Sequence, residues 1–260
     1  MRIFLFLVSF LCIHIAHTAY AKPLTEESVR QFLKENPTII LDVLREHSVE
    51  LLRIVVEGSE KEAQQELENQ LHELKANLEK ERTKKRYPTI VANRPFIGST
   101  NAPITLVAYS DFLCPYCANS AQTISQLLSQ SKNVQYIFKA YTRNPLGQVA
   151  YAFFLTLWTK DKEKAFQFYT TLFSNQERLL KEKKAYLLEV VKELGYNPEQ
   201  IESLAESSAI QDIIKEDIAE GNALKIKGTP TLMVNGKYSI IGAAQLEILQ
   251  FVIDYAQKNP

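Results

Sequence analysis

The chain has 260 residues, 46% of them hydrophobic and 23% charged, with 30 basic and 30 acidic side chains. That length holds one large domain or two smaller ones, and the composition is that of a globular protein. A formal net charge of zero, without a basic excess or an acidic block, argues against a nucleic-acid binder and against an acidic tail.

The first 21 residues read as a targeting segment. Arg2 is a short positive region, Ile3 to Ile15 is apolar apart from Ser9, Cys12 and His14, and Ala19-Tyr20-Ala21 fits a small-x-small cleavage site. Cleavage there puts the mature start at Lys22 and implies export to the periplasm. The apolar run is shorter than the roughly 20 residues of a spanning helix, although an uncleaved anchor is the alternative. A lipidation site wants a small residue before its cysteine. Leu11 stands there, so Cys12 is expected to leave with the signal peptide. The remaining chain keeps 29 basic and 30 acidic residues, since one Arg and no acid are removed. It also keeps two cysteines, Cys114 and Cys117, and two histidines, His47 and His72.

Residues 22–90 read as a helical arm. Thr25 caps a first helix with Glu26 and Glu27 in its first turn and Val29, Phe32 and Leu33 on one face. Asn36-Pro37 stops it and starts a second, which carries Ile39, Ile40, Val43, Leu44, Leu51, Leu52, Val55 and Val56. Gly58-Ser59 is the next expected break, with Ser59 and Glu62 as a capping box for a third helix to about Arg86. Leu67, Leu71, Leu74 and Leu78 then form a narrow stripe of about two heptads. So much apolar surface on a small arm predicts self-association through residues 24–87, as a dimer or a trimer. Folding back onto the rest of the chain is the alternative. A domain boundary is expected near residue 90.

Residues 91–260 change pattern. Pro95 to Gly98 is a short extended piece, and Ile104 to Tyr109 is an apolar strand ending in Cys114-Pro115-Tyr116-Cys117, with a helix over 118–130 behind it. Val134 to Tyr141 is a second strand. A helical run follows over 149–159, 162–172, 184–194, 198–204 and 210–224. Thr231 to Val234, an Asn235-Gly236 type I′ turn and Tyr238 to Ile241 make a hairpin, and a helix over 243–256 closes the chain. Strands separated by helices argue for an α/β layer architecture.

A Cys-x-x-Cys beside such a pattern reads as a redox motif. A disulfide closing so short a loop restricts the unfolded chain very little, so its value is chemical rather than structural. A structural zinc wants four ligands, and the mature chain offers no third cysteine and only the two arm histidines. Cys114 opens a helix, where unpaired N–H groups and the helix dipole favour its thiolate. Pro115 suits the first helical turn. Cys117, one turn on, is placed to attack a mixed disulfide formed at Cys114. No metal and no cofactor is expected.

The strand with its active-site turn, Leu106 to Cys117, and the loop Gly228-Thr229-Pro230-Thr231-Leu232 resemble the thioredoxin-fold disulfide oxidoreductases of the DsbA type. Phe32 to Pro37 and the helix after it resemble the N-terminal oligomerisation region of ScsC-like proteins. The resemblance implies a thioredoxin-like fold with a helical insertion, preceded by an all-helical arm. It implies a cis Pro230 against the cysteine pair, and backbone at Thr229 that pairs with an extended client, giving Cys114, Cys117, Thr229 and Pro230 as site residues. Oligomeric relatives are disulfide isomerases kept reduced by a membrane reductase. Monomeric ones are oxidases recharged by a membrane quinone reductase. Thr before the proline favours the isomerase, with exported cysteine-containing proteins as clients. A DsbA-like oxidase is the alternative, and a non-enzymatic chaperone or scaffold a third.

Two further expectations concern the domain's interior. No acid under the cysteine pair can be placed from sequence, and Lys139 on the second strand is the one charged candidate. The aromatic set Tyr151, Phe153, Phe154, Trp158, Phe166, Phe168 and Tyr169 reads as core of the insertion, with a peptide groove as the alternative.

Overall fold

A computed structural model of the chain describes residues 25–81, 87–90 and 93–259. The expected signal peptide, its cleavage site, Lys22 and the expected end of the third helix near Arg86 lie outside the described residues. The chain divides between Gln65 and Glu66 into two compact units, and the division falls inside a helix.

The first unit is helical. Helix α1 (Glu26–Glu35) is closed by a capping box, in which Ser28 N–H donates to Thr25 Oγ1 and the Ser28 hydroxyl faces Thr25 N–H. Asn36 ends it, and α2 (Pro37–Glu46) starts on Pro37. Helix α3 (Ser48–Glu81) then runs unbroken for 34 residues. The expected stop at Gly58-Ser59 is therefore wrong. A glycine costs a helix only about 1 kcal/mol against alanine, which a long helix tolerates. Ser59 is satisfied inside the helix, donating from Oγ to Val56 O at 2.8 Å. The interruption comes earlier, at His47, where φ −104° and ψ 22° leave helical values although His47 N–H still reaches Val43 O at 3.1 Å. No residue of 25–65 is buried.

In the second unit, five strands form one sheet in the order β1-β3-β2-β4-β5. They are β1 (Phe96–Ile97), β2 (Ile104–Ser110), β3 (Val134–Ala140), β4 (Thr231–Val234) and β5 (Tyr238–Ile241). Strand β2 is central, parallel to β3 and antiparallel to β4, and its apolar run is covered on both faces. Leu106 and Ala108 join the larger core with Tyr136, Phe138 and Leu232, while Val107 and Tyr109 join a second core with Ile137 and Met233. Helix α4 (Pro115–Gln130) follows β2. Between β3 and β4 come α5 (Pro145–Lys160), α6 (Lys162–Ser174), α7 (Gln176–Glu182), α8 (Lys184–Glu193), α9 (Pro198–Ala205) and α10 (Ser208–Ala223), and α11 (Leu246–Lys258) ends the chain. The fold is the expected thioredoxin-like α/β arrangement with a helical insertion.

Two local differences from the sequence reading have physical causes. Helix α5 starts four residues early, because Pro145 occupies its first turn and Asn144 Oδ1 accepts from Leu146 N–H at 2.9 Å. Helix α7 lies in a stretch read as connection. It is anchored by one fully buried residue, Leu179, too little for a periodic signal. The hairpin is as expected: Asn235 and Gly236 have the positive φ of a type I′ turn, closed by Lys237 N–H to Val234 O, and Tyr238–Ile241 is the returning strand with Val234 opposite Tyr238. The aromatic set is mainly core: Tyr151, Phe153, Phe154, Phe168 and Tyr169 are buried, and Trp158 and Phe166 pack at its edge.

The leucine stripe of α3 is partly used by the second unit itself. Leu78 is buried in the main core and Leu74 packs against it. Glu81 takes both the N–H and the hydroxyl of Ser239, tying the end of α3 to β5.

Lys139 is buried on the second face of the sheet, opposite Tyr109 in the β2–β3 register, with its ammonium 5.9 Å from the Tyr109 ring centre. Its acidic partners come from α10. Lys139 donates to Glu220 at 2.5 Å and stands 4.0 Å from Asp217. Tyr109 OH also donates to Glu220. Asp217 accepts from Arg94 at 2.6 Å and from Ala140 N–H at 3.0 Å. Thr89 is held at both backbone groups, its N–H by Glu220 and its carbonyl by Lys139, at 2.7 Å each. The network fastens the chain's entry into the domain to α10 and β3. Hydrogen bonds from Lys139, Tyr109 and Thr89 overcome the effect of burial and hold Glu220 below its ordinary range.

Burial outweighs Arg94 and Ala140 N–H at Asp217 and pushes its carboxyl up to about 6. A folded pKa above the unfolded one gives stability that is fully present below the unfolded value and lost as pH rises through the folded value. Urea unfolding of the wild type should therefore lose stability relative to Asp217→Asn between pH 4 and pH 7.5, by on the order of 2 kcal/mol.

Candidate active site

Strand β2 ends at Ser110, and Asp111 turns the chain. Asp111 Oδ1 accepts from Leu113 N–H at 3.0 Å, and Asp111 O accepts from Cys114 N–H at 3.1 Å. Cys114 thus becomes the N-cap of α4, with extended φ −87° and ψ 118°, and Pro115 takes the first helical turn without a donor to satisfy. Cys117 N–H and Ala118 N–H both reach Cys114 O, at 3.0 and 3.3 Å. Cys114 is half-buried and Cys117 is buried one turn deeper, both as free thiols.

The insertion holds this turn from above. Phe112 is buried among Tyr151, Phe154, Tyr169 and Phe173, with ring centres 5.0 to 6.1 Å away. Gln176, at the start of α7, donates from Nε2 to Phe112 O at 2.8 Å and to Cys114 O at 2.9 Å. At the first turn of α5, Gly147 lies close under Asp111. A Cβ there would stand 2.7 Å from Asp111 Oδ1 and 2.5 Å from Thr142 Oγ1.

The partner loop arrives through the sheet. Antiparallel pairing of β4 with β2 sets Thr231 opposite Tyr109, so the residues before β4 meet the end of β2. The Thr229–Pro230 bond is cis. Cys114 Sγ donates to Thr229 O at 3.3 Å. The loop is fixed by Thr231 Oγ1 donating to Gly228 O at 2.7 Å and by Gly242 N–H donating to Pro230 O at 2.8 Å. Cys114, Cys117, Thr229 and Pro230, far apart in sequence, stand together. Lys139 does not join them, since it points to the other face of the sheet with Tyr109. Among the described residues no group of three or more His, Cys, Asp or Glu side chains is placed to hold a metal ion.

The two cysteines differ in burial, Cys114 being half-buried and Cys117 buried. Burial pushes the Cys117 thiol up to about 12, against the pull of hydrogen bonds with the Ser110 side chain and Asp111 backbone. Cys117 is a neutral thiol at physiological pH. Burial also raises Asp111 above its ordinary range, opposed by its bonds to Thr142 and Leu113 N–H.

Residues 91–254 match the family described as Thioredoxin. The chain belongs to the thioredoxin family. Among curated relatives, this thioredoxin-family chain is 29% identical over 145 residues to the Na(+)/H(+) antiporter NhaA 1 of Salinispora arenicola, over 54% of the chain and 21% of that protein. It therefore spans about a fifth of that relative's length. It is 26% identical over 156 residues to the probable disulfide bond formation protein D of Bacillus cereus, over 54% of the chain and 69% of that protein. A linker-deletion mutant of Proteus mirabilis ScsC shares the fold over 92% of this chain and 100% of its own, with a TM-score of 0.57 at 16% identity. No helix among the described residues is long and apolar enough to cross a membrane.

Sequence reasoning overlooked Asp111, although an Asp two residues before the N–H it holds is a legible turn signal. Gln176 left no such signal. Asp217 and Glu220 were missed because acids on a helix read as solvated, yet they share a face with buried Ile214 and Gly221.

The asymmetry predicts chemical selectivity. Limiting iodoacetamide at pH 7.5 should label Cys114 and leave Cys117 unmodified, as read by peptide mass spectrometry of the reduced protein.

Proposed function

We propose that this chain is an exported thiol–disulfide oxidoreductase that works as an oligomeric protein disulfide isomerase in the periplasm. Cys114 is the nucleophile and Cys117 the resolving thiol. The observation that carries the reading is the Cys114 Sγ contact with Thr229 O, at a helix N-terminus that favours negative charge. Cys114 thiolate attacks one sulfur of a client disulfide, so the Cys114–client bond forms and one client thiolate leaves. A client thiolate then attacks the mixed disulfide, forms a new client pairing and returns Cys114 as thiolate, with no net oxidation. Where Cys117 attacks instead, its proton passes to the client thiolate that leaves Cys114. The client then leaves reduced, and a Cys114–Cys117 disulfide remains that a membrane reductase must reopen. Clients are exported cysteine-containing proteins, and Thr229 and Pro230 bind them through backbone beside Cys114.

Residues 22–90 serve as the oligomerisation arm of a dimer or trimer, and residues 91–260 as the catalytic domain. The support is apolar exposure. Val43, Val49, Leu52, Ile54 and Val55 are each more than half exposed in the single chain, apolar surface of the kind that association covers. The oxidase reading is favoured by one observation, the name of the Bacillus cereus relative as a disulfide bond formation protein.

The mature chain from Lys22 should sediment as a dimer or trimer and restore activity to scrambled ribonuclease, and Cys114→Ala should abolish the recovery. Val49→Glu with Leu52→Glu should give a monomer that still exchanges with dithiothreitol but loses most of the isomerase activity. Thiol trapping in cells should find the pair reduced. An oxidised pair would favour the oxidase.

A further inference from the structure

The turn that presents Cys114 is held by a residue of the helical insertion. Helix α6 ends at Asn175, whose backbone N–H donates to Leu172 O at 3.2 Å and whose Nδ2 donates to Thr171 O at 2.8 Å. The chain re-enters a helix at once, with Gln176 at its first position and Leu179 buried behind it. That corner carries two contacts to the cysteine turn. Phe173 packs on Phe112 with ring centres 5.0 Å apart. Gln176 Nε2 reaches both Phe112 O and Cys114 O. Both partners are carbonyl oxygens, so only the NH2 end of the amide can face them, and its two hydrogens match the two acceptors.

We propose that Gln176 is a positioning residue for Cys114, an amide fork by which the helical insertion sets the geometry of the redox turn. The inference rests on the thiol–disulfide exchange reading above. Asp111 fixes the N–H groups of Leu113 and Cys114, and Gln176 fixes the carbonyls of Phe112 and Cys114, so the turn is clamped on both sides of its backbone. Cys114 forms and breaks bonds to sulfur while its own carbonyl stays fixed. That carbonyl also receives Cys117 N–H, so the fork controls how Cys114 faces its resolving partner.

The isosteric change Gln176→Glu is the sharp test. A carboxylate offers no donor and sets negative oxygens against two carbonyls, whereas a protonated carboxyl donates one bond. The full-length mature protein is reduced, and its exchange with oxidised glutathione is timed from pH 4.5 to pH 8 for wild type, Gln176→Glu and Gln176→Met. Urea unfolding is measured alongside. At pH 7 both variants should exchange about tenfold more slowly than wild type, the scale of the two lost hydrogen bonds. The Glu deficit should shrink as its carboxyl protonates, while the Met deficit stays constant with pH. A merely structural role would shift the urea midpoint without that pH signature. Glu and Met variants that match wild type at every pH, or Glu and Met deficits with the same pH dependence, would overturn the inference. A wild type that does not exchange would instead overturn the activity reading.

Discussion

The antiparallel pairing of β4 with β2 is the constraint on which the site depends. The register sets Ala108 opposite Leu232 and Tyr109 opposite Thr231. It therefore fixes the end of one strand, where Cys114 begins a helix, against the start of the other, where Thr229 and Pro230 stand. A slip of one residue would turn every side chain of β4 to the other face. Leu232 would leave the main core, and Thr229 O would no longer meet Cys114 Sγ. The same alternation divides the sheet's work. One face buries Cys117 with the larger apolar core, and the other carries Tyr109, Lys139 and their acidic partners.

That second face is costly to build. Buried ions lose their water, and mutual attraction compensates only when every partner is in place. Here Arg94, Lys139, Asp217 and Glu220 satisfy one another and two backbone segments, Ala140 and Thr89. What the arrangement fixes is position: the chain entering the domain, the second strand of the parallel pair and the last helix of the insertion. The insertion reaches the opposite side of the sheet through Phe112, whose ring lies among aromatic residues of α5 and α6. The redox turn is thereby mounted on the insertion as well as on the strand behind it.

Much of this is legible in the chain. An apolar run ending in Cys-Pro-Tyr-Cys announces a buried strand and a helix start, and Asn235-Gly236 announces a hairpin, because both signals are local. Thr229-Pro230 became interpretable only through resemblance, since its meaning depends on which strand β4 pairs with. The parts that stayed hidden depend on distant partners. Lys139 was visible as a charge on a buried strand, but its acids sit about 80 positions on, in a helix that reads as solvated. Gln176 was invisible for the same reason, and α7 was too short to show a period. The break expected at Gly58-Ser59 failed because a glycine's cost is small beside that of interrupting a long helix. Leu74 and Leu78 were read as a seam for another copy, yet they pack within their own unit. Periodicity reports that a face is apolar and leaves its partner unspecified.

The central claim is that Cys114 attacks and Cys117 resolves. Replacing Cys117 by Ala and exposing the reduced protein to oxidised glutathione tests it most directly, with the adduct followed by intact mass and peptide mapping. The account predicts a mixed disulfide that accumulates on Cys114 in the variant and is short-lived in the wild type, where Cys117 displaces glutathione. An adduct absent from Cys114, or one that persists equally when Cys117 is present, would contradict it.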